Sequence, residues 1–224
     1  MVKLAELLPT DTADYGAESM FICGQKGRGK SRLTDKIVRA LPPTFDDRGK
    51  RHDWLVVIID SKQDWKYSRV PWGKGLYKRL PSTNLRLVPA GYYVYRPTAF
   101  PEKTDLGARR IFRSALQRKY CVIVVDEGAD FGGGQAVAEL GKLMRQSRSK
   151  HVIVIFGCQR PTKVDLLAIS EATRLVEFQL GWADDYDRMA KNGYAEFATP
   201  PAGRYDFNFY NRLTGEFVRV RQAA

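Results

Sequence analysis

Apolar residues fall in six short runs along this chain, and each run is closed by glycine, proline or charge. They are 19–23 (SMFIC), 54–60 (WLVVIID), 91–97 (GYYVYRP), 121–127 (CVIVVDE), 151–158 (HVIVIFGC) and 173–180 (TRLVEFQL). The second, fourth and fifth are nearly continuous in β-branched residues, which suits strands covered on both faces. Between the runs the apolar positions take helical spacing. Leu33, Ile37 and Leu41 recur every fourth residue and stop at Pro42 and Pro43, which predicts a helix over 30–41. Thr104 is read as the cap of a second helix reaching about Lys119. Residues 135–149 place Val137, Leu140, Leu143 and Met144 on one face of a third. Strand-like and helix-like segments alternate, so the prediction is an α/β fold with a mainly parallel central sheet between two helical layers. The tail, RYDFNFYNRLTGEFVRVRQ, changes to strict alternation around Thr214 and Gly215. It reads as a β-hairpin added at the sheet edge.

With 224 residues and no internal repeat, the chain fits a single domain. Its core would span about 19–181, with a C-terminal helix and hairpin over about 182–224. No apolar run approaches the roughly eighteen residues of a membrane span, and the first residues lack the pattern of a signal peptide. Cys23, Cys121 and Cys158 each lie in or beside an apolar run, without metal-ligand spacing. They read as reduced core thiols, so the expected location is cytoplasmic, with no membrane anchor.

Charge narrows the partners. Lys and Arg number 37 against 25 Asp and Glu, a formal net charge of +12. Such a balance favours a polyanion, nucleic acid or an acidic membrane surface, although a merely basic surface gives the same count. The stretch 60–84, DSKQDWKYSRVPWGKGLYKRLPSTN, interleaves cations with aromatic rings and is long for a connection in a compact domain. Lys62, Lys66, Arg69, Lys74, Lys78 and Arg79 are its candidate phosphate contacts, set among Trp65, Tyr67 and Trp72. Point charges of this kind grip phosphates without reading sequence. Arg109, Arg110, Arg113, Arg118 and Lys119 form a second basic run, read as the outer face of a helix.

The chemistry centres on GQKGRGKS, residues 24–31, which fits G-x-x-x-x-G-K-[ST] in full. An apolar strand precedes it and a helix follows. Glycines let backbone N–H groups close around phosphate oxygens, and the helix N-terminus adds partial positive charge. Gly24, Gln25, Lys26, Gly27, Arg28, Gly29, Lys30, Ser31 and Arg32 are therefore the expected ATP-binding set. Lys30 can reach the β- and γ-phosphates, and Ser31 can place its hydroxyl on Mg²⁺. Asp126 and Glu127 end the strongest apolar run, where α/β sheets bind ligands. Asp126 is expected in the Mg²⁺ shell and Glu127 as the group that polarises the attacking water. Gln159 follows the next run and can meet the γ-phosphate or that water.

Taken together, these pieces resemble the FtsK–HerA superfamily of P-loop ATPases. The order matches over roughly residues 20–180: the glycine-rich loop, a strand ending in Asp60-Ser61-Lys62, VIVVDEGAD with Asp130, RSKHVIVIFGCQRP, and LLAISEATRLVEFQL. The resemblance implies a three-layer RecA/ASCE-like fold, ATP hydrolysis with Mg²⁺, and a ring homo-oligomer of five or six subunits. It also implies an arginine that enters the neighbouring subunit's site. Arg148 is the matching position and Arg145 the near alternative. The short form resembles viral genome-packaging ATPases, which pump double-stranded DNA into a capsid; DNA and capsid vertex or portal proteins would then be partners, in the host cytoplasm or on the virion. The glycine loop 131–135, FGGGQ, would couple hydrolysis to movement. Other readings on the same fold are a small-molecule kinase, a non-hydrolysing nucleotide-gated module, and a phage-assembly or conjugation-type ATPase.

Overall fold

The apolar runs form strands of one nine-stranded sheet. In the computed structural model, which describes residues 4–9, 11–12, 16–46, 48–60, 76–96, 101–127 and 135–221, these are β1 (Ser19–Cys23), β2 (Leu55–Ile59), β3 (Lys78–Arg79), β4 (Gly91–Tyr95), β5 (Cys121–Val125), β6 (Val152–Cys158), β7 (Arg174–Phe178), β8 (Phe207–Asn211) and β9 (Glu216–Val220). Their order across the sheet is β9-β8-β7-β1-β6-β5-β2-β4-β3. Every pairing from β7 through β3 is parallel. The hairpin β8–β9 adds antiparallel strands at the β7 edge, as its alternating sequence predicts.

Helices α1 (Lys30–Ala40), α2 (Pro101–Arg118), α3 (Gln135–Ser147), α4 (Leu166–Ser170) and α5 (Ala183–Asn192) cover the sheet, and a further single helical turn lies at Leu4–Leu7. Successive strand residues point to opposite faces, and both faces are buried. Val56 and Ile58 join the cluster under α1, with Leu33, Ile37 and Val38. Leu55, Val57 and Ile59 join the cluster under α2 and α3, with Ile111, Phe112, Leu140 and Leu143. This two-sided burial explains why the run at β2 has no polar alternation. Each fully buried aliphatic side chain contributes about 1.5–3 kcal/mol.

Three local expectations shift. Helix α2 starts at Pro101, so Thr104 lies inside it and is not its cap; proline lacks only an N–H that the first turn leaves unbonded anyway. Helix α3 ends at Ser147 and tightens into a 3₁₀ turn over Arg148–Lys150, closed by His151 at φ 53°. Lys78 and Arg79 form a two-residue edge strand beside β4, too short to leave a sequence period. Residues 61–75 and 128–134 lie outside the described residues, and with them Lys62, Lys66, Arg69, Lys74, Asp130 and most of the glycine loop.

The topology places β6 between β1 and β5. All three run parallel, so their C-terminal ends open on the same edge of the sheet. Among the described residues no helix is long and apolar enough to cross a membrane.

Candidate functional site

β1 ends at Cys23, level with Cys158 of β6 and Glu177 of β7. The backbone then turns at Gly24, where φ is 148° and a Cβ would lie 2.5 Å from Phe178 Cβ. Only glycine fits this position. The Gly24 N–H donates to Cys158 O at 3.2 Å, and the Gln25 N–H donates to Gln179 O at 2.9 Å. The loop is thus pinned to the strands on both sides of it. At its far end Gly29 caps α1 in a left-handed conformation with no side-chain cap bond. The first N–H groups of α1 are left for a ligand, where the helix carries its partial positive charge.

A cleft of about 330 Å³ opens here. Lys26, Gly27 and Gly29 of the loop, and Lys30, Ser31 and Arg32 of α1, form its floor; Asp126, Glu127, Gln159 and Tyr205 complete the lining. Gly24, Gln25 and Arg28 build the loop instead of lining the cleft, and Arg28 donates to Gln25 Oε1 at 3.2 Å. Lys30 Nζ donates to the carbonyls of Gly24 and Gln25, the latter at 2.9 Å. Burial pushes this ammonium below its ordinary pKa, against the opposing pull of Glu127 and Asp126.

Ser31 Oγ donates to Asp126 Oδ1 at 3.0 Å, across 95 positions of sequence. A hydroxyl and a carboxylate side by side suit Mg²⁺, which completes its shell with phosphate oxygens and water. The ion therefore fits these two residues. Asp126 is itself fixed by its N–H, which donates to Ile59 O of β2 at 3.2 Å.

Glu127 is 5 % exposed. Gln159 holds both of its oxygens: the backbone N–H donates to Oε1 at 3.1 Å, and Nε2 donates to Oε2 at 2.9 Å. Two residues before Gln159, Gly157 allows the close approach of the two strand ends, since a Cβ there would lie 2.8 Å from Asp126 O. After Gln159 the turn is braced by Asp185, wholly buried, which accepts from Thr162 N at 3.1 Å, Thr162 Oγ1 at 2.6 Å and Arg160 Nε at 3.4 Å. Arg160 also lies 3.9 Å from the centroid of the exposed Trp182 ring.

No protein-family model matches this chain, and no curated protein matches it. Solved structures do. The genome packaging NTPase B204 from Sulfolobus turreted icosahedral virus 2, in complex with sulfate, superposes with a TM-score of 0.67 at 15 % identity, over 92 % of this chain and 97 % of that one. The pCW3 conjugation coupling protein TcpA with ATPγS gives 0.55 at 14 % identity, over 90 % of this chain and 59 % of that chain. The cytoplasmic domain of the Thermomonospora curvata type VII secretion ATPase EccC gives 0.55 at 14 %, over 100 % of this chain and 30 % of that one. The chain has a P-loop NTPase fold.

Within this fold, the loop, Asp126, Glu127 and Gln159 meet in one cleft. Arg148 does not meet them. It is exposed at the start of β6, while Gln159 follows the end of that strand. Seven strand residues separate the two, a span of about 23 Å. Arg145 is likewise exposed, on α3. Lys78 and Arg79 are exposed on the edge strand, five strand spacings from β1, roughly 24 Å at about 4.8 Å each. Of the second basic run, Arg113 pairs with Glu139 of α3.

Sequence reasoning missed Tyr205 and Glu177. Tyr205 lies far from every motif and carries no local signal. Glu177 sits in a strand run where a single glutamate looks solvent-facing, yet it is 0 % exposed. Its Oε1 accepts from Asn208 Nδ2 at 3.2 Å, and burial pushes its pKa up to about 9.

Proposed function

We propose that this protein is an ATP-hydrolysing motor that moves double-stranded DNA in viral genome packaging, working as a ring of identical subunits. The observation that carries the reading is the grip of Gln159 on both oxygens of Glu127, across the cleft from Lys30 and Ser31. A carboxylate held beside the γ-phosphate position can take a proton from the attacking water.

In this reading the triphosphate lies along the loop and the α1 N-terminus. Lys30 exchanges the carbonyls of Gly24 and Gln25 for β- and γ-phosphate oxygens. Anionic phosphate favours its charged form, which reverses the effect of burial. Ser31 and Asp126 would hold Mg²⁺, which would supply charge neutralisation at the phosphate oxygens. Glu127 orients water in line with the γ-phosphate and accepts its proton as ADP and phosphate form. Gln159 touches the same water or the γ-phosphate, so cleavage is felt at β6.

DNA as the cargo is supported by the net charge of +12 and by the neighbours, one of which is named as a genome packaging NTPase and another as a conjugation coupling protein. Lys78 and Arg79, with Lys62, Lys66, Arg69 and Lys74, are the proposed channel contacts. Arg148 supplies the neighbouring subunit's site, a role its distance from its own cleft permits. Capsid vertex or portal proteins would be the docking partners.

The test is phosphate release from ATP with and without double-stranded DNA, across a salt series. DNA should stimulate release, and the stimulation should fall steeply with salt. Glu127→Gln should keep nucleotide binding and lower turnover by about 10²–10⁴-fold. Turnover indifferent to DNA at every salt concentration, or phosphate transferred to an organic acceptor, would defeat the proposal.

A further inference from the structure

The cleft has two unlike sides. Glu127 and Gln159 stand at the ends of β5 and β6, on one side of β1. On the other side of β1 lies β7, whose last residue, Phe178, packs against the loop. A methyl group built on Gly29 would lie 3.6 Å from both Phe178 Cε1 and Tyr205 Cδ1. Two aromatic rings therefore flank the start of α1 on the β7 side. Phe178 is wholly buried, whereas Tyr205 is half-buried and lines the cleft. Tyr205 comes from the turn leading into β8, which Asp206 closes by accepting from the Gly203 N–H at 2.9 Å. The ring is thus placed by a built turn, with the Arg204 guanidinium over it at 5.3 Å from the centroid.

A packing role would be filled by any apolar side chain sealed like Phe178. Tyr205 instead presents aromatic surface to the cleft, at the end away from Glu127. A nucleotide whose γ-phosphate faced Glu127, with its phosphates along the loop and the α1 N-terminus, would carry its nucleoside toward the β7 side. We propose that Tyr205 is the stacking platform for the nucleobase. The inference rests on the ATP-site reading above and adds to it that the site binds a nucleoside triphosphate through its base as well as its phosphates. Base–aromatic stacking is sequence-tolerant because every base has a π-face.

Titration calorimetry of the full chain separates the two contributions, with Mg²⁺ present and two probes: a non-hydrolysable ATP analogue and inorganic tripolyphosphate. Tyr205→Ala should weaken the analogue roughly five- to a hundred-fold and leave tripolyphosphate unchanged, while Tyr205→Trp keeps both affinities. Tripolyphosphate binding also reports that the loop of the variant stands intact. Equal loss of both probes would show a ring that only props Gly29, and no loss of either would show a ring that never meets the base; each result overturns the proposal. If the wild-type chain binds neither probe, the ATP-site reading falls, and this inference falls with it.

Discussion

Glu177 shows how far one side chain can depart from what its sequence neighbours suggest. It lies on β7 between β1 and the hairpin, with no exposed surface. Glu177 Oε2 and Asn208 Oδ1 are buried and accept no bond among the described residues. Protonating the acid turns Oε2 into a donor beside an amide that has an unused acceptor, and burial favours the same neutral form. The folded-state pKa of about 9 stands above the ordinary 4.5. Between those two values the native chain holds a proton that the unfolded chain has lost. Stability therefore falls as pH rises through that window, by about 1.4 kcal/mol per pH unit from this group alone. Denaturant unfolding of wild type and Glu177→Gln from pH 5 to 9 should show a shallower pH dependence in the variant and a more stable variant at the alkaline end. Parallel curves would remove the group from the account.

At the level of elements, the strands were readable because β2, β5 and β6 are buried on both faces and so lack polar alternation. The loop and helix at 24–40 were readable because phosphate binding requires glycines and a lysine in fixed order. The edges were less legible. A two-residue strand at Lys78–Arg79 has no period to detect, and the start of α2 depended on whether a proline opens the helix or precedes it. Tyr205 was invisible because its role depends on the hairpin folding back beside the loop. Glu177 was misleading because only the added strand β8 turns its position from an edge into an interior. Gly157 belongs to this scale as well. A Cβ there would lie 2.8 Å from the carbonyl oxygen of Asp126, so Gly157→Ala forces β5 and β6 apart at their tips. The variant should lose about 1–3 kcal/mol of stability, the cost of overpacking, and lose ATP turnover more than nucleotide affinity. Unfolding curves and a binding titration on the same sample check both halves.

For the whole molecule, the cleft and Arg148 occupy opposite ends of the sheet. A solitary chain cannot bring them together without unfolding β6, so completion of the site in the ring reading requires a neighbour. Mixing Arg148→Ala subunits with Lys30→Ala subunits should restore part of the phosphate release that each lacks alone. In mixed rings some interfaces pair an intact loop with an intact arginine. Release that never exceeds the sum of the separate variants would confine each defect to its own subunit and remove Arg148 from a shared site.

The grip of Gln159 on Glu127 has a mechanical corollary. These residues fasten the mouth of β5 to the mouth of β6, and β6 is hydrogen-bonded along its length to strands on both flanks. A strand so clamped is stiff, and a displacement imposed at one tip arrives at the other instead of dissipating between them. Arg148 stands at that other tip. In a closed ring, loss of the γ-phosphate in one subunit would then be delivered as a push on the next, so firing order around the circle would follow from the direction in which one strand points.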